Sequence, residues 1–437
     1  MVEESDHENR GVIEVNNSTS LARVVVRQII ESGITDVVIS PGSRNAPLSL
    51  AFFAAAERKL ITVHVRIDER TAAFFALGII KATGKPVAVV CTSGTAVANY
   101  HPAVLEAHHT NAPLLLLTAD RPAMLRKTGA NQTTEQARIF GKSVRYFADV
   151  DGPVYPMDLP LDSLRMGPVH LNLQFDEPLL PEDSNDWLSG IHPSPVVHGE
   201  VVAGEISVKT QKNIVIVGHD CAGFAVDEIE DLADSLGAPI VAEDPLVFEN
   251  AIAHAPIVLS DERVRRELAA DLVVVIGRTT LSRSINAYIQ GSKRVMVIDP
   301  RLEKIDTSRS ADETHHVIPR VTAVVDADSI WHDSWHKYEE VAAAALAELP
   351  DWSEAEVAAV VSEELENDAA LFISSSRPIR DIESFAVPRT GIETYANRGL
   401  AGIDGNISTV FGIAQEHETT NSIMGDLTFL HDISALT

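Results

Sequence analysis

Between residues 20 and 120 the chain alternates short apolar runs with longer stretches of helical period, and most changes fall at glycines or prolines. Strands joined through helices run parallel, and strands apolar on both faces must be covered on both. The pattern therefore implies an α/β fold of parallel sheets flanked by helices. A helix is expected from Ser20-Leu21 through Val24, Val25, Ile29 and Ile30, stopped by Gly33. A strand at Asp36–Ser40 breaks at Pro41-Gly42, and the next helix takes in Leu48, Leu50, Ala51 and Ala54. Thr62–Ile67 reads as strand and Thr71–Lys81 as helix, with Gly84 where a C-cap belongs. Val87–Cys91 is a strand, a turn at Gly94 opens a helix to His109, and Leu114–Thr118 is a buried strand.

From Pro178 to Gly204 periodicity fades among Pro181, Gly190, Pro193, Pro195 and Gly199, which predicts a linker. A second α/β block follows, with strands at Ile214–Val217, Leu272–Ile276 and Val295–Ile298. Ile229, Leu232, Ala233 and Leu236 fall on one helical face between them. From Ala323 the sequence turns to acidic helix, with Ser353 and Glu356 at capping-box spacing. Short strands and glycine turns resume from Leu371 to Thr437. At about 100–200 residues per domain, a chain this long makes two to four domains.

Charge narrows the function. With 35 Lys+Arg against 63 Asp+Glu the net charge is −28, which repels phosphate backbones and anionic lipid and argues against nucleic-acid or membrane partners. No Lys follows Lys337, and a surface rich in carboxylates and poor in lysine suits strong salt. Only Cys91 and Cys221 occur, so neither a disulfide framework nor a four-Cys metal site can form. Met1–Glu14 is acidic and polar, unlike a signal peptide, and no apolar run reaches the ~18–20 residues of a membrane span. A cytoplasmic protein is expected.

Several clusters carry possible chemistry. Gly218 and Gly223 follow a strand, but no Lys-Ser/Thr comes after them, so an ordinary turn explains them better than a P-loop. His332 and His336 share a helical face at a spacing that can hold zinc, without an evident third ligand. His315-His316 and His108-His109 are adjacent pairs whose side chains diverge, as structural histidines do. Asp68-Glu69-Arg70 lies where a strand becomes a helix, a place that favours acids through the helix dipole and also suits a catalytic carboxylate. Pro41-Gly42-Ser43-Arg44 sits at a strand's carboxyl end, where open parallel sheets bind ligands, and Arg44 is suited to grip a carboxylate; a plain turn explains it equally well. Asn397-Arg398-Gly399-Leu400-Ala401-Gly402-Ile403-Asp404-Gly405 allows close backbone approach to a ligand, and Asp426 follows another short apolar run.

Taken with Thr92–Asn99, Thr118–Pro122, Gly129–Gln132, Gly167–Asn172 and Gly425–Asp432, these segments resemble the thiamine-diphosphate-dependent enzymes. Within that family the match is to synthases that decarboxylate 2-oxoglutarate and add the four-carbon unit to isochorismate. The resemblance runs in order from Leu21 to Leu436; its early and late motifs are specific, its middle block generic α/β. It implies three domains: pyrimidine-binding (residues 1–185), central (186–330) and diphosphate-binding (331–437). It also implies a homodimer or homotetramer, since family sites lie between domains of different subunits.

By the same resemblance Glu69 hydrogen-bonds the cofactor's aminopyrimidine ring and promotes loss of the thiazolium proton. Pro41, Thr95, Asn99 and Ile403 also contact the cofactor, and Asp426 is the first protein ligand of the Mg²⁺ (or Mn²⁺) that anchors the diphosphate. Arg44, Arg121, Arg380 and Arg398 match cations for the two dianionic substrates, with Ser43, Asn131, Gln132 and Ser376 as hydrogen-bonding partners. The family's second metal ligand lies farther beyond Asp426 than the eleven residues present here. The expectation is a chain cut short in its third domain, with Gly425–Leu436 as an apolar strand lacking a neighbour. The alternatives are another enzyme of this cofactor class, such as an acetohydroxyacid-synthase-like decarboxylase, or a non-catalytic binding or dimerisation protein.

Overall fold

A computed structural model describes residues 16–153, 159–193, 203–301, 303, 305–323 and 326–437. Met1–Glu14, Pro195 and Gly199 lie outside them. The described chain forms two compact units, residues 16–108 with 112–193, and residues 203–436.

The first unit is built on six parallel strands, β1 (Asp36–Ile39), β2 (Thr62–Val65), β3 (Val87–Cys91), β4 (Leu114–Asp120), β5 (Tyr146–Val150) and β6 (Val169–Gln174), in the order β2-β1-β3-β4-β6-β5. Central β3 and β4 are buried at every position, and apolar runs mark β3 throughout and β4 from Leu114 to Leu117. Helices Asn17–Glu31 and Ala46–Glu57 pack on one face through Val25, Ile29, Leu48 and Phe52. Helix Glu69–Thr83 is buried from Thr71 to Ile80 and ends on Gly84 in the left-handed region, as expected of a C-cap.

Two expectations need correction here. The helix anticipated from Gly94 to His109 is two, Thr95–Asn99 and His101–Thr110. Pro102 supplies no N–H to continue the first, and it fits the opening turn of the second. The start of the linker is not a loose connection. Residues 178–193 lie on this unit, with Leu188 and Ile191 in its core and Asp183 paired to Arg23 at 3.0 Å.

The second unit has a two-stranded piece, β7 (Glu205–Ser207) with β13 (Arg320–Ala323), beside five parallel strands in the order β12-β11-β10-β8-β9. These are β8 (Asn213–Val217), β9 (Ile240–Ala242), β10 (Leu272–Ile276), β11 (Val295–Ile298) and β12 (Glu313–His315). Gly218, after β8, has no room for a side chain, because a Cβ would sit 2.3 Å from the Arg278 carbonyl oxygen. Helix Val226–Leu236 buries Ile229, Leu232, Ala233 and Leu236, the four residues placed on its apolar face by spacing. A third parallel sheet has the order β15-β14-β16, from β14 (Ala370–Ile373), β15 (Glu393–Tyr395) and β16 (Thr420–Ile423). Leu246 and Leu281, from the loops after β9 and β10, join its core with Leu371, Ile373 and Ile379.

Gly425–Leu436 is not a strand. Asp426–His431 is helical, and Ile433–Leu436 forms a 3₁₀ turn. Buried Asp432 accepts hydrogen bonds from the Ser408 N–H (2.8 Å) and Oγ (2.9 Å), which ties this segment to helix Asn406–Ile413. No described helix is long and apolar enough to cross a membrane.

Candidate active site

In the first unit the candidate residues collect at the carboxyl ends of β1, β3 and β4. The turn after β1 presses on the turn after β3: a Cβ at Gly42 would lie 2.4 Å from that of Thr92. The Arg44 N–H donates to Thr92 Oγ1 at 3.3 Å, fastening the two turns together. The Arg44 guanidinium donates to the Phe175 carbonyl at 2.9 Å and lies 3.5 Å from Glu177, while Pro41 and Ser43 are exposed.

After β2, Asp68 caps the helix by accepting from the Arg70 N–H at 2.9 Å, so Glu69 becomes its first residue. A carboxylate there is favoured by the helix dipole. Glu69 is half-buried and accepts a hydrogen bond from Asn99 Nδ2 at 3.2 Å. Thr95, exposed, and Asn99 are the two ends of the short helix that Gly94 starts at φ 91°. Burial first, then neighbouring charge that includes Glu69, keeps the Cys91 thiol and Tyr100 phenol protonated.

Arg121, at the end of β4, donates to Ser93 Oγ (2.7 Å) and to the Gln132 carbonyl (2.8 Å). Gln132 returns a bond from Nε2 to the Ser93 carbonyl at 3.2 Å. Asn131 is exposed, and its carbonyl accepts from Thr133 Oγ1 at 3.3 Å. Partial burial and then the Arg44 charge push the Arg121 guanidinium below its usual range. Two guanidiniums that feel each other in this way are relieved by a shared anion.

In the second unit the candidates lie at the carboxyl ends of β14, β15 and β16. β14 is central although first in the chain, so the connections reverse beside it, and such a switch point is where open α/β sheets bind ligands. The Ser374 N–H donates to the Ile423 carbonyl at 3.0 Å, holding the ends of β14 and β16 together. Ser376 (φ 82°) opens helix Arg377–Phe385, and both it and Arg380 are exposed. Exposed Asp426 opens the helix after β16. The loop after β15 carries half-buried Ile403 and reaches Gly405 at φ 60°, just before helix Asn406–Ile413.

Arg398 is 7% exposed, and its Nη2 donates to Thr280 Oγ1 at 2.7 Å. Arg278 holds the same loop, donating to the carbonyls of Arg398 (2.8 Å) and Gly399 (3.0 Å). Beneath them lie two buried acids. Glu243 accepts from the Thr280 and Leu281 N–H groups, the latter at 2.8 Å, and burial pushes it up to about 7. Glu383 is also raised, by burial and then by Glu243, although Arg398 and Arg380 oppose the rise. Arg278, Thr280, Glu243 and Glu383 carry no sequence motif, because their roles arise only when distant segments meet.

The residues around the Asn397–Asn406 loop fit a bound cofactor and cation. Asn397 Nδ2 donates to Thr409 Oγ1 (3.0 Å), and Asn406 Nδ2 to the carbonyls of Gly402 (3.2 Å) and Asp404 (3.0 Å). The Oδ1 atoms of both asparagines are buried without a protein partner, leaving acceptor capacity for a donor or cation. Among the described residues no three His, Cys, Asp or Glu side chains converge as a ready-made metal cluster. On the helix carrying His332 and His336, His336 Nδ1 lies 3.0 Å from a Glu339 carboxylate oxygen.

Residues 19–139 match a family model described as the N-terminal TPP binding domain of thiamine pyrophosphate enzymes. Residues 186–373 match the middle domain of thiamine pyrophosphate enzymes. Among curated relatives, 2-succinyl-5-enolpyruvyl-6-hydroxy-3-cyclohexene-1-carboxylate synthase of Nocardioides sp. is 38% identical over 96% of this chain and 79% of its own. The proteins of the same name from Thermobifida fusca (39%; 97% and 81%) and Geobacillus thermodenitrificans (34%; 93% and 77%) are similar over comparable spans.

Proposed function

The chain belongs to the 2-succinyl-5-enolpyruvyl-6-hydroxy-3-cyclohexene-1-carboxylate synthases, thiamine-diphosphate enzymes of menaquinone biosynthesis that form a carbon–carbon bond, and from that premise we propose that it decarboxylates 2-oxoglutarate and adds the remaining unit to isochorismate. The observation that carries the reading is the placement of Glu69: a half-buried carboxylate at a helix N-terminus, facing the Asn99 amide.

Thiamine diphosphate, when bound, supplies the nucleophilic carbon and the electron sink that allow CO₂ to leave. Glu69 would hydrogen-bond its pyrimidine ring and hold a proton there, with Pro41, Thr95 and Asn99 shaping that end. Ile403 would press on the cofactor from the loop after β15, and Asp426 would ligate the Mg²⁺ (or Mn²⁺) that neutralises the diphosphate. Both substrates are dianions, so a protein of net charge −28 must concentrate cations locally. Arg44 and Arg121 would do so in the first unit, and Arg380 and Arg398 in the second. Arginine suits the task because its planar fork meets a carboxylate through two bonds. Ser43, Asn131, Gln132 and Ser376 would complete the hydrogen bonding.

We assign residues 1–185, 186–330 and 331–437 to pyrimidine-binding, central and diphosphate-binding domains, and we expect a homodimer or homotetramer. Turnover with 2-oxoglutarate plus isochorismate, against turnover with pyruvate, tests the substrate assignment. Product from the first pair and none from pyruvate is expected; a preference for pyruvate would refute it.

A further inference from the structure

We propose that Gln136 is a positioning residue: it registers the turn carrying Thr95 and Asn99 against the loop carrying Asn131 and Gln132. The cofactor and substrate consequences rest on the function proposed above; the positioning itself does not.

Gln136 is fully buried in an irregular segment. Its Oε1 accepts from the Gly94 N–H at 3.1 Å, and its Nε2 donates to the Ala119 carbonyl (3.1 Å) and to Asn172 Oδ1 (2.8 Å). The amide cannot be turned round without loss, and the reason lies two residues away in the network. Asn172 Nδ2 donates to Asp149 Oδ1 (2.8 Å) and Asp120 Oδ2 (3.0 Å). Arg126 pairs with both acids, at 2.7 and 2.9 Å. An ionised carboxylate only accepts, so Asn172 must present its NH₂ to Asp149 and its oxygen to Gln136. Gln136 must then present its NH₂ to Asn172, which leaves its oxygen for Gly94. Orientation thus passes from a charged pair at Arg126 to one backbone N–H beside the candidate site.

That N–H belongs to the residue that starts helix Thr95–Asn99, where a helix has no internal acceptor to offer. The same peptide is gripped from the other side, because Gln132 Nε2 donates to the Ser93 carbonyl and Ser93 Oγ donates to the Gln132 carbonyl at 2.9 Å. Residues 132–136 therefore clamp Ser93-Gly94 at both ends. Glutamate at 136 would keep the Gly94 bond but set a carboxylate against the Ala119 and Asn172 oxygens. Methionine would fill the space and make none of the three bonds.

Hydrogen exchange of the full chain tests the clamp without relying on catalysis. In the wild-type protein the Gly94 amide should exchange at least ~10-fold more slowly than the same amide in an unstructured peptide, whatever the activity; unprotected exchange there would overturn the proposal. In Gln136→Met, and in Gln136→Glu if the first does not fold, exchange over residues 92–99 should rise. Calorimetric titration with thiamine diphosphate and Mg²⁺ should show a Kd raised about tenfold, with KM for 2-oxoglutarate rising as well. A merely structural role would lower the melting midpoint yet leave exchange at 92–99, Kd and KM unchanged in the folded variant, and that result would also refute the assignment. Wild-type protein that protects Gly94 but neither binds cofactor nor turns over would contradict the proposed function and leave the clamp standing.

Discussion

At the scale of single residues, the candidate chemistry depends on charges placed where water is scarce. Glu243 and Glu383 are buried side by side near Arg398, and both hold protons more tightly than exposed acids do. An acid whose pKa is raised by folding contributes stability at low pH that is lost as pH rises through the folded value. The window for Glu243 runs from the ordinary carboxylate range to about 7, and the shift of Glu383 has the same sign. Glu243→Gln and Glu383→Gln should each flatten the fall of unfolding free energy between about pH 5 and pH 7, by at most ~1.4 kcal/mol per pH unit for one proton. Denaturant melts across that range check it; parallel curves for wild type and variants would count against the assignment. None of this was legible in the sequence. Glu69 and Arg44 stand in short motifs beside strand ends, whereas Glu243 and Glu383 acquire their meaning only from packing between segments 140 residues apart.

At the scale of elements, legibility followed burial. β3, β10 and β11 have the boundaries expected of them because every position is buried, so an apolar run and a strand coincide. Elements anchored by isolated contacts leave no such signal: residues 178–193 have no period, yet Leu188 and Ile191 seat them in the first core. The last segment departs from its expected strand for another reason. Its apolar residues suggested a strand, but Leu427, Phe429 and Leu430 are exposed, and the segment is held through buried Asp432. Asp432 bonds Ser408 in the first turn of helix Asn406–Ile413, the helix that follows the candidate diphosphate loop. Asp432→Ala should therefore cost about 1–3 kcal/mol, as for a buried donor left unsatisfied, and should speed amide exchange at the start of that helix. Denaturation with residue-resolved exchange measures both, and an unchanged exchange pattern would separate Asp432 from the helix.

At the scale of the whole molecule, the fold class was legible from alternation alone, while the family required ordered motifs spread along the chain. A net charge of −28 makes the folded state repel itself, and dissolved salt screens that repulsion. The melting midpoint should thus rise steadily from low to molar KCl, and a midpoint indifferent to salt would remove the expectation of a salt-adapted surface. The proposed catalysis depends on Glu69 meeting the cofactor's pyrimidine ring, and replacement of Glu69 by a neutral isostere is the sharpest test. With fold verified by circular dichroism, Glu69→Gln should reduce turnover of 2-oxoglutarate and isochorismate by about 10²–10⁴-fold, the usual contribution of a positioned acid–base group. A Glu69→Gln enzyme working at near wild-type rate would contradict it.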